Sequence, residues 1–518
     1  MSLRTSRARA LTLRHLRKDL FPWVIALAVG VDYFDNSIFS FFASYIAGGL
    51  DTPTDELVWS TSAYAITSVL GIVQQQWLVE RVGYRIYLSG CLLMFAIGAL
   101  IVSICESPIE LALARGFQGY FIGPMLGTCR ILLQTCFTPQ ERPPATRRFL
   151  TTILSASALG PLVGGYLVAN FEWRALFVCS TILGLAFAVL AFLITPHVGK
   201  RRPERRTETH LWPYLVLAGA IGALQVVAQQ VRFELFSTSP LLMALTISGV
   251  VALGWVAWHQ WHHPKPLVRL NALREGPFRV GIALYASYYA VSNALGYLVS
   301  RLLQSGMGYP VEYMGRLVGF TSMASIPMAF VYFRYSKQVQ RKRWLIVPGF
   351  LMTALIGIWI SLLPPDVNTG WLLPPLLVRG SMLMFIAMPT ASVVFQIFAD
   401  DEFNHGYRLK NIVKQLSYSF STAQVIIFEQ HRLAVHRTRL TEYTSPSNPN
   451  FQSAFDALAR TFESLGYAAD SARTMALEQL NKLVDHQATF MSLQDGFLVI
   501  TILALISAVL ATLQRQIK

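Results

Sequence analysis

The chain consists of long apolar runs separated by short polar segments, and this repetition restricts what it can fold into. A bilayer-spanning helix needs about 20 predominantly apolar residues. Fourteen such runs are present, near 21–47, 57–79, 86–105, 110–136, 149–170, 175–195, 211–230, 240–261, 278–300, 313–334, 344–363, 371–398, 408–428 and 493–514. Because 53% of residues are hydrophobic and only 14% are charged, a soluble domain is disfavoured. The sequence therefore predicts an all-α polytopic membrane protein.

Lysine and arginine are unevenly distributed among the polar segments. The net charge of +15 falls in short clusters between the apolar runs, whereas nucleic-acid binding needs a basic face on a soluble domain, so no nucleic-acid partner is expected. With a cytoplasmic amino terminus, the clusters fall in alternate loops, and the other loops hold little beyond Arg174, Arg232 and Arg301. Because basic loops stay in the cytoplasm, both termini are predicted to be cytoplasmic.

Sequence signals for metal, disulfide or hydrolytic chemistry are missing. The cysteine count of 5 is odd, and the cysteines lie mostly in apolar runs without CxxC spacing, so neither a disulfide framework nor a metal site is predicted. No Walker loop, GxSxG elbow or HExxH motif occurs, which disfavours an ATP-driven pump and a hydrolase. The pattern favours a protein that is not an enzyme and has no bound cofactor.

One large hydrophilic segment, 429–491, precedes the last apolar run and is predicted to lie outside. Phe451, Phe455 and Phe462 recur at helical spacing, and Gly466 is placed to end that helix. Asp470 is placed to cap a second helix. The segment is therefore predicted to form a helical hairpin outside the membrane, which would be periplasmic if the resemblance described below holds.

Charged residues occur inside two of the predicted spans. A charge at mid-bilayer costs roughly 2.5–3.5 kcal/mol on insertion scales, so Asp32, Asp35 and Arg115 need an explanation. With a rise of about 1.5 Å per residue, Asp35 and Arg115 both lie in the outer halves of antiparallel spans. We expect them to pair, either as a purely structural ion pair or as a proton-responsive one with Asp32.

Other polar residues in the spans are candidates for lining a cavity that binds an amphipathic organic compound. Each has a structural alternative: amides join helices, tyrosines favour the lipid interface, and Arg130 can extend its guanidinium to the cytoplasmic surface. The candidates are Gln118, Arg130, Gln225, Gln229, Tyr285, Tyr289, Asn293 and Arg379. Arg379 opens VRGSMLMFIAMP, which echoes ARGFQGYFIGP around Arg115 and indicates a duplicated helix bundle.

Four short motifs carry a resemblance to a known family. They are Asp35-Asn36-Ser37-Ile38, QWLVERVGYR from Gln76 to Arg85, the R-x-x-Q-G pattern of Arg115, Gln118 and Gly119, and GPLVGG from Gly160 to Gly165. With them the chain resembles the fourteen-span drug:proton antiporters of the major facilitator superfamily, of the EmrB/QacA type. Gln76 stands where that family has glycine, Glu80 where it has aspartate, and Arg130 where glutamine is more common.

The resemblance implies a fold and an organisation of the chain. The fold would be the major facilitator fold, with two six-helix bundles, two additional transmembrane helices and the helical hairpin before the last span. The expected parts are a cytoplasmic basic arm (1–20), a first bundle (21–195), a basic loop with the extra spans (196–277) and a second bundle (278–518). The location would be the bacterial inner membrane.

The resemblance also implies roles for residues and partners. Asp32, Asp35 and Arg115 would couple transport to protons. A cytoplasmic gate would comprise Gln76, Glu80, Arg81, Gly83 and Arg85, and an antiporter hinge would comprise Gly160, Pro161, Gly164 and Gly165. Expected partners are an amphipathic organic substrate, membrane lipid, an EmrA-like membrane-fusion adaptor and an outer-membrane channel.

Three other functions are alternatives. The least favoured is a membrane-embedded transferase, because the sequence offers no inward-facing acid/base or metal constellation for it. An uptake symporter or uniporter would share the fold, and the GPLVGG segment argues against it. A membrane receptor or assembly platform without transport would use the external hairpin, and it would need no acids inside the membrane.

Overall fold

The structure is a computed structural model that describes residues 2–53, 56–201, 211–230, 239–263, 270–336, 338–394, 400–445 and 447–514, without the side chains of 2–18, 211, 229, 271 and 400–405. The α-helices of the first part of the chain are α1 (Ser2–Phe41), α2 (Ala43–Gly49), α3 (Leu57–Val82), α4 (Tyr84–Ser103), α5 (Pro108–Ile122), α6 (Met125–Cys136), α7 (Arg142–Asn170), α8 (Arg174–Ile194), α9 (Leu211–Gln230) and α10 (Pro240–His262). Those of the second part are α11 (Gly276–Arg301), α12 (Val311–Met323), α13 (Ser325–Tyr335), α14 (Arg343–Ser361), α15 (Leu373–Met382), α16 (Met388–Val394), α17 (Asp400–Glu442), α18 (Pro449–Ser464) and α19 (Ala469–Leu513). Short 3-10 segments (Leu270–Arg274, Thr369–Trp371) and π-helical segments (Leu302–Gly306, Leu383–Ala387) complete the helical structure, and the described residues contain no β-strand.

The predicted all-α membrane architecture is confirmed. In the part of the chain that the structure describes, each of the fourteen apolar runs lies in one helix or in consecutive helices. Within the described residues, 10 helical segments are long and apolar enough to cross a membrane, and a shorter apolar helix covers Trp212–Ala228. The exact number of fourteen spans stays a prediction.

Apolar side chains cover much of the outer surface of the helices. On α10, Leu241, Ile247, Val251 and Trp258 are each more than half exposed. On α19, Ile502 and Val509 are exposed in the same way. Such surfaces are unfavourable in water and suit contact with lipid chains, where backbone groups are already satisfied inside each helix.

Two corresponding spans are interrupted near a proline. The fourth run breaks between α5 and α6 at Gly123 and Pro124, and the twelfth contains the π-helical segment Leu383–Ala387 just before Pro389. Proline lacks an N–H and its ring clashes with the preceding turn, so it interrupts the regular helical hydrogen bonds. The echo between the Arg115 and Arg379 segments is therefore accompanied by a similar irregularity in the helix.

The hydrophilic segment is helical, but its organisation differs from the predicted one. Gly466 follows α18 with a φ of 93°, a conformation that glycine adopts without strain. Asp470, however, is in the first turn of α19, whose N-cap is Ala468 and has no side-chain capping bond. The prediction of a cap at Asp470 is wrong, because the helix begins earlier and continues into the last span. The segment consists of the ends of α17 and α19 with α18 packed on α19.

Helices of the first half of the chain (α1 to α8) pack mainly on one another, as do those of the second half (α11 to α19). In the first half, α3 contacts α5, α4 contacts α8 and α1 contacts α7. In the second half, α14 contacts α19 and α11 contacts α17. The two halves meet through α7 with α12, α3 with α17 and α1 with α11.

Candidate functional site

A cavity of about 240 Å³ lies between the two halves. It is lined by residues of α1, α2 and α3, of α7, and of α11, α12, α15 and α17. One acidic and three basic residues line it, and these are Asp32, Arg301, Arg379 and Lys414. The position between the halves and the mixed aromatic and polar lining are typical of a small-molecule site.

Asp32 faces this cavity from α1. Its side chain is only 1% exposed, and Oδ1 accepts hydrogen bonds from Tyr64 Oη at 2.6 Å and from Asn36 Nδ2 at 2.7 Å. Tyr64 comes from α3, so this carboxylate joins two helices. Asp32 thus has polar partners that offset part of the cost of burying a charge.

Asp35 lies beside the cavity and contacts Arg115 instead. Asp35 Oδ2 is 2.5 Å from Arg115 Nη1, and both residues are fully buried. The arginine also donates to Gln118 Oε1 at 2.9 Å, and its Cζ is 4.3 Å from the centre of the Phe39 ring. The expected pairing of an acid and a base at matching depth is present in the structure, and Asp32 and Asp35 have different surroundings.

Two basic side chains face the cavity from the second half. Lys414 of α17 is 5% exposed, and its Nζ is 3.3 Å from Tyr33 Oη and 4.4 Å from the centre of that ring. Arg379 of α15 lines the same cavity. Sequence reasoning identified Arg379 but missed Lys414. Polar residues at 407, 411, 414 and 418 recur at helical spacing and were the available signal.

Two of the basic residues that the orientation count includes among the cytoplasmic segments lie in a helix and not in a loop. Arg408 and Lys410 are 4% and 5% exposed and belong to α17. The Nζ atom of Lys410 is 4.9 Å from the centre of the Tyr407 ring. Counting basic residues does not separate a loop from the buried face of a long helix, and this explains the error.

The predicted cavity residues divide into two groups. Asn293 and Arg379 line the cavity, and Asn293 Nδ2 donates to Thr422 Oγ1 at 2.7 Å and to the Tyr418 carbonyl at 3.1 Å. The residues that do not line this cavity are Gln118, Arg130, Gln225, Tyr285 and Tyr289. The side chain of Gln229 lies outside the described residues.

The second group of candidates makes contacts that join helices. Gln225 Nε2 donates to Ser62 Oγ at 2.8 Å and so connects α9 with α3. Tyr285 Oη donates to the Ala387 carbonyl at 3.2 Å, and its ring stacks on Tyr289 at 5.8 Å. Arg130 Nη1 donates to Thr146 Oγ1 at 3.1 Å. Such contacts join helices, and a role of these residues in binding a substrate stays a prediction.

The segment predicted as a cytoplasmic gate joins α3 to the loop after α8 and to the second half. Gln76 Nε2 donates to Glu80 Oε1 at 2.6 Å, and its Oε1 accepts from Arg408 of α17. Glu80, only 2% exposed, also pairs with Arg201 Nη1 at 3.2 Å. Gln76, which replaces the family's glycine, therefore connects the two halves directly.

The remaining residues of this segment stay within the first half. Arg81 donates to the Trp77 carbonyl at 3.0 Å and covers that ring. Gly83 ends α3 with a φ of 85°, and Arg85 contacts His197 Nε2 at 2.9 Å. Gly83 is needed for the turn, because other residues rarely adopt this conformation.

The glycine-rich segment of α7 allows two other helices to approach closely. A Cβ on Gly160 would lie 2.8 Å from Ser37 Cβ, and one on Gly164 would lie 2.3 Å from Phe42 Cε2, so Gly160 packs against α1 and Gly164 against the junction of α1 and α2. Gly165 faces α12 instead. Pro161 lines the cavity between these contacts. The segment therefore connects α1, the cavity and the second half.

Comparison with known proteins agrees with this arrangement. Residues 25–422 match the Major Facilitator Superfamily. The chain is 23% identical to the probable multidrug resistance protein EmrY of Escherichia coli over 92% of both chains. It is 24% identical to the multidrug export protein EmrB of the same species over 88% of both chains. It is 22% identical to the fatty acid resistance protein FarB of Neisseria gonorrhoeae over 83% of this chain and 85% of that one.

Solved structures show the same fold at low sequence identity. A bacterial homolog of the human lysosomal transporter Spinster, inward-facing and occupied, covers 96% of both chains with a TM-score of 0.59 and 13% identity. The peptide transporter POT in complex with sulfate covers 94% of both chains with a TM-score of 0.58 and 14% identity. The chain belongs to the major facilitator superfamily and is a transporter rather than an enzyme, similar in sequence to the EmrB-type multidrug exporters.

Proposed function

We propose that the protein exports amphipathic organic compounds across the bacterial inner membrane in exchange for protons. The names of EmrY, EmrB and FarB refer to multidrug resistance, multidrug export and fatty acid resistance, which supports a substrate with a large apolar part. Both termini would then be cytoplasmic. The coupling ion would be the proton, with no other cofactor.

The observation that carries this proposal is the buried Asp35–Arg115 pair beside the cavity that Asp32 faces. Protonation of a buried carboxylate removes half of such an ion pair, so the contact with Arg115 weakens. A change in this contact would alter the side-chain link between α1 and α5. Proton binding and release would thereby favour different orientations of the cavity.

Transport by alternating access also requires contacts that open in turn on the two sides. At the cytoplasmic end of α3, Gln76 meets Arg408 of the second half. At the opposite end, Gly165 meets α12, and Ser300 Oγ of α11 donates to the Phe41 carbonyl at 2.6 Å. We expect the first set of contacts to break when the cavity opens inward and the second when it opens outward.

We also propose that the exporter works in a tripartite assembly. The extended ends of α17 and α19, with α18, would lie in the periplasm and contact an EmrA-like membrane-fusion adaptor, which would lead to an outer-membrane channel. The hydrophilic helices support this placement because they extend two membrane helices beyond their apolar parts. Co-purification of the adaptor with the full chain, and its loss after deletion of 447–466, would test this part separately.

The test of proton exchange is transport by the purified protein in liposomes. With an acidic interior, a fluorescent amphipathic dye should accumulate inside through molecules oriented inside-out, and an ionophore that collapses the pH gradient should abolish accumulation. Asp35→Asn and Asp32→Asn should each abolish the gradient-driven component. Asp51→Asn is the matched control, because Asp51 is exposed with a φ of 50° that asparagine tolerates. Full gradient-driven transport by Asp35→Asn would refute the proposal.

A further inference from the structure

The charges that line the cavity do not balance. Arg301 is paired with Glu429, since Nη2 lies 2.8 Å from Oε1. Arg379 and Lys414 have no carboxylate within 4 Å among the described residues, and Asp32 is the one acidic residue that lines the cavity with them. The cavity lining is therefore positive by about one elementary charge when these groups have their usual charges.

The hydrogen-bond partners of Asp32 and Lys414 are neutral, so they add no charge to this count. The Asp32 Oδ1 atom accepts from Tyr64 and Asn36, and Lys414 Nζ contacts Tyr33 Oη. The neighbouring Asp35 and Arg115 neutralise each other. Inside a protein a charge acts over a longer distance than in water, because the effective dielectric constant is lower. The cavity accordingly favours an anion over a cation of the same shape.

Aromatic rings form much of the remaining wall. Tyr33 and Tyr418 lie beside the Lys414 ammonium, at 4.4 Å and 5.5 Å from Nζ to the ring centres. The other aromatic residues of the lining are Phe39, Phe41, Tyr64 and Tyr297. Such walls suit stacking and edge contacts with an aromatic ligand. The volume of about 240 Å³ is below the roughly 300–1,000 Å³ of drug-sized sites and indicates one or two rings.

We propose that the cavity binds a small aromatic monoanion, with its anionic group toward Lys414 and Arg379 and its ring against the tyrosines of α1 and α17. This inference rests on the proposed function for its biological meaning, because it names the class of compound that would be exported. Binding itself needs no proton gradient. The two proposals can therefore fail separately.

The first experiment measures binding to the full chain in lipid nanodiscs at pH 7. The probes are p-toluenesulfonate, the neutral p-toluenesulfonamide and the cation benzyltrimethylammonium. Sulfonate stays ionised at this pH, so its charge is not in question. We expect the sulfonate to bind at least tenfold more tightly than the other two probes. Equal binding of the three probes, or a preference for the cation, would overturn the proposal without any variant being made.

The second experiment changes the basic residues. Lys414→Gln and Arg379→Gln should each weaken sulfonate binding roughly ten- to a hundredfold, the range expected for a lost hydrogen bond to a charged group. Lys414→Arg keeps the charge and should retain binding. Lys410→Gln is the matched control, because Lys410 is a buried lysine one turn earlier on α17 that does not line the cavity. Unchanged binding by both Gln variants at positions 414 and 379 would overturn the proposal.

A charge reversal separates a specific role from a general loss of structure. Lys414→Glu should bind benzyltrimethylammonium in preference to the sulfonate. If this variant does not fold, the inference is tested by the preference of the unmodified protein and of Lys414→Arg for the sulfonate over the other two probes. Sulfonate binding without proton-driven flux would refute the proposed exchange and leave this inference standing. Proton-driven flux of the cation without sulfonate binding would refute this inference and leave the proposed exchange standing.

Discussion

Gly165 of α7 and Gly315 of α12 bring the backbones of the two halves into contact. A Cβ on Gly165 would lie 3.1 Å from the Cα of Gly315, and a Cβ on Gly315 would lie 2.4 Å from the Pro161 carbonyl oxygen. The second distance is too short for two atoms that are not bonded. These glycines therefore allow an approach that no larger residue permits without movement of a helix.

We predict that Gly315→Ala moves α12 away from α7. The added methyl group must displace the Pro161 carbonyl or the whole of α12, so the closed contact on this side should be less populated. Spin labels at Asn170→Cys and Tyr313→Cys, which lie at the adjacent ends of the two helices, would report a longer mean distance by electron paramagnetic resonance.

The control for this prediction is Gly222→Ala in α9. A Cβ on Gly222 would meet nothing within 4 Å, so the measured distance should not change. An unchanged distribution in Gly315→Ala as well would mean that the helices absorb the methyl group without separating.

A second prediction concerns the contact between Gln76 and Arg408. Gln76→Ala removes an acceptor from Arg408, which is 4% exposed, and a donor to Glu80. Leaving buried charged groups with fewer partners costs about 1–3 kcal/mol, so the unfolding temperature of the purified protein should fall. Arg81→Ala is the comparison, since Arg81 donates to the carbonyl of Trp77 and covers its ring within the same helix. An equal fall of the unfolding temperature in both variants would show that the contact between Gln76 and Arg408 does not stabilise the packing of the two halves.

The sequence was sufficient to predict the pairing of Asp35 with Arg115. Both are rare charges in apolar runs, and the fixed rise of a helix gives their depth on antiparallel spans. It was not sufficient to predict which acid faces the cavity. Asp32 and Asp35 are three residues apart and so lie on broadly the same side of α1. Only the tertiary structure shows that Asp32 bonds Tyr64 of α3 and lines the cavity, whereas Asp35 contacts Arg115 of α5.

The position of Lys414 could not be obtained from the same reasoning. α17 is a helix of 43 residues that carries many charges, so hydropathy gives a weak signal for where its buried face lies. The direction of Lys414 depends on the rotation of α17 against α3 and α11, which is set by long-range packing. Gln225 shows the opposite case, because an amide suited to a cavity instead bonds Ser62 between two helices.

A third prediction tests whether Asp35 and Arg115 act as a pair. Arg115→Gln leaves the fully buried Asp35 without its counter-charge, and removing one partner of a buried ion pair typically costs about 3–5 kcal/mol. The double variant Asp35→Asn with Arg115→Gln removes both charges and should recover most of the lost stability. Thermal unfolding of the purified variants in one detergent provides the comparison.

Transport separates the structural role of this pair from its role in coupling. The double variant should remain without gradient-driven transport although its stability is recovered. If it transported as well as the unmodified protein, the pair would be purely structural. The stability measurement has its own contrary outcome. If the double variant lost as much stability as the sum of the losses of the two single variants, the two residues would not interact.

A fourth prediction concerns the link between the extended ends of α17 and α19. Asp495 Oδ2 lies 2.6 Å from both Arg432 Nε and His436 Nε2, and these groups are largely shielded. Asp495→Ala should weaken this link by about 1 kcal/mol and speed amide hydrogen exchange in 432–442 about fivefold. Asp485→Ala breaks the bond to Arg437 between the same two helices, but that pair is about half exposed and screened by water. We therefore expect little change there, and equal acceleration in both variants would show that burial of the ion pair does not determine the stability of this region.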